Sequence, residues 1–269
     1  MNKHWIKLLL GSSALLLAAS CGEKPAVSDE APATAEQNAP GADAIAAAIA
    51  SPDRWAADSE RDALRKPSET LAFAEVAPGM SIFEIEAGGG YFTELFSLVA
   101  GPEGSVVMQN VESIPPFLGE EMAARLAEGR LANVRKSITN FDALDAEDGS
   151  IDLVTWVQGP HELYYVPEGG PTLGDPAASF AGIFRIVKPG GAFVVIDHSA
   201  VEGAPSTTGN ELHRIDKGHI IALAETAGFV LDGEGDFLAN PEDDRTKIVF
   251  DPSIRGKTDQ FALRFRKAE

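Results

Sequence analysis

Three histidines are candidates for chemistry, and two of them directly follow predicted strands. His161 follows the fourth predicted strand, His198 follows the fifth, and His213 precedes a predicted helix. An imidazole titrates near neutral pH, so His161 and His198 are the candidates for a catalytic base, although a purely structural role stays open for each. The spacing of the three histidines matches no tight pattern of metal ligands, so no metal site is expected.

A run of three glycines, Gly88, Gly89 and Gly90, follows the first predicted strand directly and opens a predicted helix. Glycines at such a turn let the backbone approach a ligand closely. The dinucleotide-binding fingerprint would need a glycine at position 93, where Thr93 stands, so binding of a nicotinamide dinucleotide is disfavoured. The run indicates a binding loop for another ligand, while a tight turn without a ligand remains the alternative.

Strands and helices alternate along the chain from about residue 53 onward. Segments typical of strands lie at 81–85, 104–109, 134–138, 151–157, 192–196, 229–231 and 260–266, with helix-period segments between most of them. This alternation predicts an α/β fold: a Rossmann-like, doubly wound, mostly parallel seven-stranded sheet with helices on both faces. The last strand follows a hairpin-like connection, so we expect it to run antiparallel at or near an edge.

Several motifs, in this order, resemble those of class I S-adenosylmethionine-dependent methyltransferases. The first motif of that family is an acidic residue followed by glycines spaced G-x-G-x-G. Glu84, Gly88 and Gly90 match it, and Glu86 takes the place of the first glycine. Two further matches, to the entry of strand four and the connection to strand five, lie at 148–154 and 184–191.

The resemblance implies S-adenosylmethionine as the cofactor, bound at the glycine loop, and methyl transfer to an unidentified small molecule. It also implies roles for three residues after strands two and three. Asn110 or Glu112 would bind the ribose hydroxyls of the cofactor, and Asp142 would accept a hydrogen bond from its adenine amine. For Asp142, a helix N-cap is the alternative.

Glu86 and Asn110 depart from the residues usual in that family, and two functional hypotheses follow. The first is an active methyltransferase, and the second is a non-catalytic binding module that keeps the pocket and has lost transfer chemistry. Glu86 either contacts the cofactor, where a carboxylate favours the positively charged sulfonium, or pairs with Arg54 or Arg61. The remaining motif matches favour the enzyme.

The first 21 residues resemble the signal peptide of a bacterial lipoprotein. A short basic start precedes an apolar run at 8–19, which is too short to span a bilayer, and small residues then lead to Cys21. The resemblance implies that Cys21 is lipidated and that this lipid is the only attachment to a membrane. Gly22 after the cysteine favours the outer membrane, with the domain facing the periplasm. An ordinary cleaved secretion signal is the alternative.

Residues 22–50 are predicted to form a flexible tether rich in Ala, Pro and Glu, which leaves 51–269 as one methyltransferase-like domain. This domain further resembles a subgroup of exported methyltransferases through residues 53–54, 62–67, 213–216 and 255–259. An export signal conflicts with a cofactor that is made in the cytosol, and the sequence leaves that conflict open.

The charge of the chain excludes one class of partner. Among its 269 residues, 41 Asp and Glu stand against 22 Lys and Arg, which gives a formal charge of −19 at pH 7. Such a chain repels phosphate backbones, so no nucleic-acid partner is expected. Cys21 is the single cysteine, so neither an intramolecular disulfide nor a zinc site of several thiolates can form.

Overall fold

A computed structural model describes residues 41–166 and 170–269, so the predicted signal peptide, Cys21 and most of the predicted tether lie outside the described residues. The helices are α1 (Ala42–Ile49), α2 (Ala56–Ser59), α3 (Asp62–Arg65), α4 (Pro67–Phe73), α5 (Tyr91–Ala100), α6 (Pro115–Arg125), α7 (Pro176–Ile186), α8 (Thr208–Leu212) and α9 (Lys217–Ala227), with 3-10 helices at Ala127–Gly129 and Pro160–Tyr164. The strands are β1 (Ser81–Ile85), β2 (Ser105–Asn110), β3 (Val134–Ile138), β4 (Ile151–Val157), β5 (Val187–His198), β6 (Phe229–Gly235) and β7 (Gln260–Lys267). None of the helices in the two described ranges is long and apolar enough to cross a membrane.

The strands form one sheet in the order β3-β2-β1-β4-β5-β7-β6. Strands β1 to β5 are parallel, and β7 runs antiparallel to both β5 and β6. The predicted fold class is therefore confirmed, including the antiparallel C-terminal strand, which lies one place from the edge. Strand order reverses between β1 and β4, and doubly wound sheets bind ligands at the carboxyl ends of strands at such a point.

The alternation of side chains along each strand divides the core into two layers. Ile82 of β1 packs in one hydrophobic cluster with residues of α5, and Phe83 and Ile85 pack in the other, on the opposite face. Apolar residues on both faces are what a parallel sheet covered by helices requires. The sheet is thus a rigid platform whose carboxyl edge holds the loops described below.

The predicted boundary between the tether and the domain, at residues 50 and 51, differs from the structure. Residues 42–49 fall within the predicted tether, but they form helix α1, which packs on α4 and α5. Ile45 and Ala48 lie three residues apart on one face of α1 and are buried. The ordered domain therefore begins before residue 51, because the buried face of α1 is part of its hydrophobic core.

Candidate functional site

The glycine loop connects β1 to α5 at the carboxyl edge of the sheet. Gly88 and Gly90 have φ angles of 57° and 91°, a left-handed conformation that glycine adopts without steric penalty. Residues at the end of β2 hold the loop in place. The Gln109 side chain accepts a hydrogen bond from the Glu86 N–H at 2.9 Å, and the Asn110 side chain accepts one from the Gly88 N–H at 2.8 Å.

Asn110 is fully buried, and both ends of its side-chain amide bind the same glycine. While Oδ1 accepts from the Gly88 N–H, Nδ2 donates to the Gly88 carbonyl at 3.1 Å. The structure thus places Asn110 as a brace of the loop, whereas the sequence predicted a contact with ribose. Glu112, the other predicted ribose ligand, is exposed on the turn after β2.

A cavity of about 260 Å³ opens between the carboxyl ends of β1 and β4. Gly88 and Gly89 form a stretch of its wall that carries no side chains, next to Glu84 and Glu86. A Cβ at Gly89 would collide with the Glu121 carboxyl, so a side chain at this position would displace that of Glu121. Other residues that line the cavity are Arg61, Arg65, Tyr91, Leu118 and Gln158. The cavity therefore offers bare backbone, carboxyl groups and two guanidinium groups to a ligand.

Gly90 faces the interior instead of the cavity. A Cβ built on it would lie 2.8 Å from Cδ of Arg125 and 2.9 Å from Cε of Met108. Of the three loop glycines predicted to bind a cofactor, the structure brings Gly88 and Gly89 to the cavity. It gives Gly90 a packing role at the start of α5.

Glu84 lies at the cavity, almost entirely buried on β1. Burial raises the pKa of its carboxyl to about 8, even though Thr93 of α5 donates a hydrogen bond to it. An uncharged carboxyl at neutral pH can become a carboxylate when a cation approaches, because the cation favours the charged form.

Glu86 follows β1 with a left-handed φ of 53° and also lines the cavity. Trp156 Nε1 donates to its carboxyl at 3.0 Å. Burial and the neighbouring Glu162 carboxylate nevertheless raise the pKa of Glu86 to about 8. The alternative pairing with an arginine is wrong, since Arg54 pairs with Asp62 and Arg61 pairs with Asp58.

Arg125 of α6 lies behind the glycine loop, and sequence reasoning missed it. Its Nε donates to the Gly89 carbonyl at 2.6 Å, and its Nη1 pairs with Asp58 at 2.8 Å and with Glu94. Burial by itself would lower the pKa of this guanidinium, but Asp58 and Glu94 raise it. A lone arginine in a helix carries no sequence signal for this role, because its partners are distant in the chain.

His161 lies on the 3-10 helix that follows β4, and its side chain is 4% exposed. Its Nδ1 lies 2.8 Å from Asp197 Oδ1 at the end of β5, and its Nε2 lies 3.2 Å from Glu162 Oε1. Burial alone would lower the pKa of His161, but the carboxylates of Asp197 and Glu162 raise it to about 10. Both nitrogens of this predicted base are therefore occupied by carboxylates.

His198 lies at the end of β5, with its ring centroid 5.9 Å from that of His161. Its Nδ1 lies 2.7 Å from the Thr258 hydroxyl, and burial lowers its pKa to about 4. His213, after α8, comes closer to His161, with 3.3 Å between its Nδ1 and His161 Nε2. The structure thus brings all three histidines to one edge and joins His161 and His213 through Glu162.

Asp142 is exposed after β3 and does not line the cavity. Its carboxyl accepts a hydrogen bond from the Asp175 N–H at 3.1 Å. The N-cap alternative is wrong, because no helix begins beside Asp142. The predicted contact with adenine remains a prediction.

The comparison that decides the family covers the glycine loop and all three histidines. A model of the ubiE/COQ5 methyltransferase family matches residues 62–214, which is more than half of the 269-residue chain. The chain belongs to this family. Membership of the ubiE/COQ5 methyltransferases confirms the predicted resemblance to methyltransferases and supports S-adenosylmethionine as the cofactor.

This chain matches individual relatives within the family over only part of their length. The ubiquinone/menaquinone biosynthesis C-methyltransferase UbiE of Pseudoalteromonas translucida is 28% identical over 134 residues, which are 50% of this chain and 49% of that protein. The protein of the same name from Hydrogenovibrio crunogenus is 28% identical over 131 residues, or 49% of this chain and 47% of that protein. The chain thus spans about half the length of the curated relatives it matches.

Solved structures of methyltransferases share the fold. A SAM-dependent methyltransferase from Aquifex aeolicus superposes with a TM-score of 0.53 and 16% identity over 77% of this chain and 97% of that chain. One from Mesorhizobium loti superposes with a TM-score of 0.52 and 16% identity over 81% of this chain and 100% of that chain. At these identities the likeness establishes the fold alone.

Proposed function

We propose that the chain transfers a methyl group from S-adenosylmethionine to a small molecule, with the cofactor in the cavity beside the glycine loop. The observation that carries this proposal is the bare backbone wall of Gly88 and Gly89, adjacent to Glu84 and Glu86, where strand order reverses. Family membership supports a catalytic function and disfavours the non-catalytic binding module.

The residues of the cavity suit this cofactor in shape and charge. Gly88 and Gly89 would let the backbone lie against it, and Glu86 would face its cationic groups. The bound cofactor supplies a methyl group on a positively charged sulfur. Glu86 has a pKa of about 8, and a nearby cation would lower that pKa, so the carboxylate would form as the cofactor binds.

The acceptor class that we propose is the ring of a quinone precursor, methylated on carbon. Support comes from the relatives, which are named ubiquinone/menaquinone biosynthesis C-methyltransferases. Methylation of a ring carbon releases a proton, so a base is needed. Of the two predicted bases, we assign this role to His198, because both ring nitrogens of His161 contact carboxylates, whereas His198 contacts the Thr258 hydroxyl through Nδ1.

Calorimetry with S-adenosylmethionine tests the cofactor site. Gly89→Val places a branched side chain on the cavity wall and should weaken binding at least about tenfold, because it fills ligand space. Gly182→Val is the matched control, since a Cβ at Gly182 of α7 meets nothing within 4 Å. If Gly89→Val still melts cooperatively and binds like the parent, the cofactor site lies elsewhere. Gly90→Val is unsuitable here, because its side chain would strike Arg125 and Met108.

A second assay tests the acceptor and the base. The full-length chain is incubated with S-adenosylmethionine and hydroxylated aromatic precursors of quinones, and formation of S-adenosylhomocysteine is followed. We expect His198→Gln to lower turnover at least about tenfold with cofactor affinity retained. Unchanged turnover removes His198 from the mechanism, and absence of turnover with every ring compound counts against the acceptor class.

We further propose that Cys21 is lipidated and that the domain faces the periplasm, anchored to the outer membrane. Support comes from the basic start, the apolar run at 8–19 and the small residues before the cysteine. Cys21→Ser should release the protein from membranes or leave the signal uncut. Unchanged processing and membrane association would contradict the anchor. If the anchor is correct, the cofactor must reach the cell envelope.

A further inference from the structure

Three ligand-type side chains converge at the edge of the sheet beyond the cofactor cavity. Within the described residues, His161, Glu162 and His213 each offer one ligating atom, and these atoms lie within 4.8 Å of one another. Glu162 Oε1 lies 3.2 Å from His161 Nε2 and 2.9 Å from His213 Nδ1, and the two nitrogens are 3.3 Å apart. The three atoms form a nearly equilateral triangle.

The local fold explains why residues more than fifty positions apart meet here. His161 and Glu162 lie on the 3-10 helix Pro160–Tyr164, which α8 touches at Gly209. A Cβ at Gly209 would strike the His161 carbonyl, so glycine permits this close approach. α8 ends at Leu212, and the left-handed φ of 52° at the next residue, His213, turns the chain.

Asp197 fixes the orientation of His161. Its Oδ1 lies 2.8 Å from His161 Nδ1, and its carboxylate also accepts from the backbone N–H groups of His161 and His198, both at 2.8 Å. A carboxylate that accepts from Nδ1–H leaves Nε2 facing the other two ligating atoms, and a metal ion bound there would displace the proton from Nε2. Metal-binding histidines are commonly held by such a carboxylate on the second ring nitrogen.

We propose that His161, Glu162 and His213 bind a divalent transition-metal ion, with zinc the best match. Metal–ligand bonds of about 2.0–2.1 Å place neighbouring donors about 3.3 Å apart in tetrahedral geometry and about 2.9 Å apart in octahedral geometry. The observed separations of 2.9, 3.2 and 3.3 Å agree with one ion bound to all three atoms. Two imidazoles disfavour calcium and magnesium, which prefer oxygen ligands.

The surroundings of the triangle suit a cation with open coordination positions. Glu162 and His213 are 16% and 14% exposed, so the triangle is reachable from solvent, while His161 lies below it. Two carboxylates, Glu162 and Asp197, contact His161. The nearby guanidinium of Arg214 forms an ion pair with Asp243 at 2.9 Å. Three protein ligands leave a position for water or for an anionic oxygen of a ligand, as in catalytic zinc sites.

Zinc binding to the full-length chain tests the proposal. The protein is stripped with a chelator, dialysed and titrated with zinc chloride, and bound metal is counted by elemental analysis. We expect about one zinc ion per chain that depends on the triangle. Glu162→Gln and His213→Asn should each weaken this binding at least a hundredfold, and Asp197→Asn about ten- to a hundredfold. Asparagine suits the left-handed backbone at position 213.

His219→Gln is the matched control, because His219 lies on α9 with its Nε2 on the Ala204 carbonyl. Cys21 and His4 remain in every variant, so any zinc that they hold cancels in the comparison. Equal zinc affinity in the parent and in folded Glu162→Gln and His213→Asn would overturn the proposal. So would absence of zinc at micromolar concentration in the folded parent, which would leave the triangle as a hydrogen-bonded cluster.

This inference does not rest on methyl transfer, and the two can fail separately. S-adenosylmethionine is titrated into the same metal-free protein in a parallel experiment. Zinc binding without cofactor binding would contradict the proposed function alone, and cofactor binding without zinc binding would contradict the metal site alone.

Discussion

Asn110→Asp separates the two roles that the sequence and the structure suggest for this position. If residue 110 binds ribose, as the resemblance implies, the acidic residue usual in that family should improve cofactor binding. If it braces the loop, the change removes the Nδ2 donor and leaves a carboxyl oxygen about 3.1 Å from the Gly88 carbonyl. The structure favours the brace, so we expect the variant to be less stable and to bind the cofactor more weakly.

The magnitude follows from the two hydrogen bonds between Asn110 and Gly88. The acceptor bond from the Gly88 N–H survives, while the Gly88 carbonyl loses its buried donor, which costs about 1–3 kcal/mol. For a domain of this size, a loss of about 2 kcal/mol lowers the melting temperature by roughly 4–8 °C. Disorder of the loop would weaken cofactor binding by up to the same free energy, or about thirtyfold.

The brace also predicts how the stability of Asn110→Asp depends on pH. Burial beside a carbonyl raises the pKa of the introduced carboxyl above its unfolded value of about 3.9, because the protonated form can donate to the Gly88 carbonyl. The folded variant then holds a proton that the unfolded chain releases, so its stability relative to the parent falls as pH rises above about 4. Thermal melts from pH 4 to 8 measure this difference. A variant as stable as the parent at pH 8 that binds S-adenosylmethionine more tightly would refute the brace.

Three further substitutions test the surroundings of the glycine loop. Arg125→Met removes a buried guanidinium, so Asp58 keeps only its partner Arg61 and Glu94 keeps only Arg130. We expect a loss of about 1.5–3 kcal/mol in denaturant unfolding, whereas the exposed control Arg135→Met should stay within about 0.5 kcal/mol. Similar losses in both variants would contradict a structural role for Arg125. Glu84 has a folded pKa of about 8, above its unfolded value, so its contribution to stability falls as pH rises from about 4.3 through 8. Glu84→Gln should therefore reduce the dependence of the melting temperature on pH between pH 5 and 9. An unchanged dependence would argue against the raised pKa. Glu86→Gln keeps an oxygen that can accept from Trp156 Nε1 but cannot become charged. Calorimetry should then show a smaller preference for S-adenosylmethionine over S-adenosylhomocysteine than in the parent. A preference equal to that of the parent would place Glu86 away from the sulfonium.

The sequence predicted what depends on short-range pattern. The alternation of strands and helices predicted the sheet, and the run at Gly88 located the loop at its carboxyl edge. Partners separated by long stretches of chain were not predictable: Arg125 meets Asp58 across 67 positions, and His213 meets Glu162 across 51. Such contacts arise only when several elements are packed together. The contact of Asn110 with Gly88 was not predictable for the same reason, since Gly88 lies in the loop that follows another strand, β1.

The position of β7 has a consequence for the order in which the chain can fold. β7 comes last in the sequence, yet it lies between β5 and β6 and pairs with both. Until residues 260–267 are available, the edge of β5 exposes unpaired backbone groups, and exposed edges invite aggregation. Closing the sheet also requires pairing residues 192 and 266, a long-range step that is slow because much chain entropy must be lost first. Nascent chains that lack this strand should therefore depend on chaperones or remain open until synthesis reaches it.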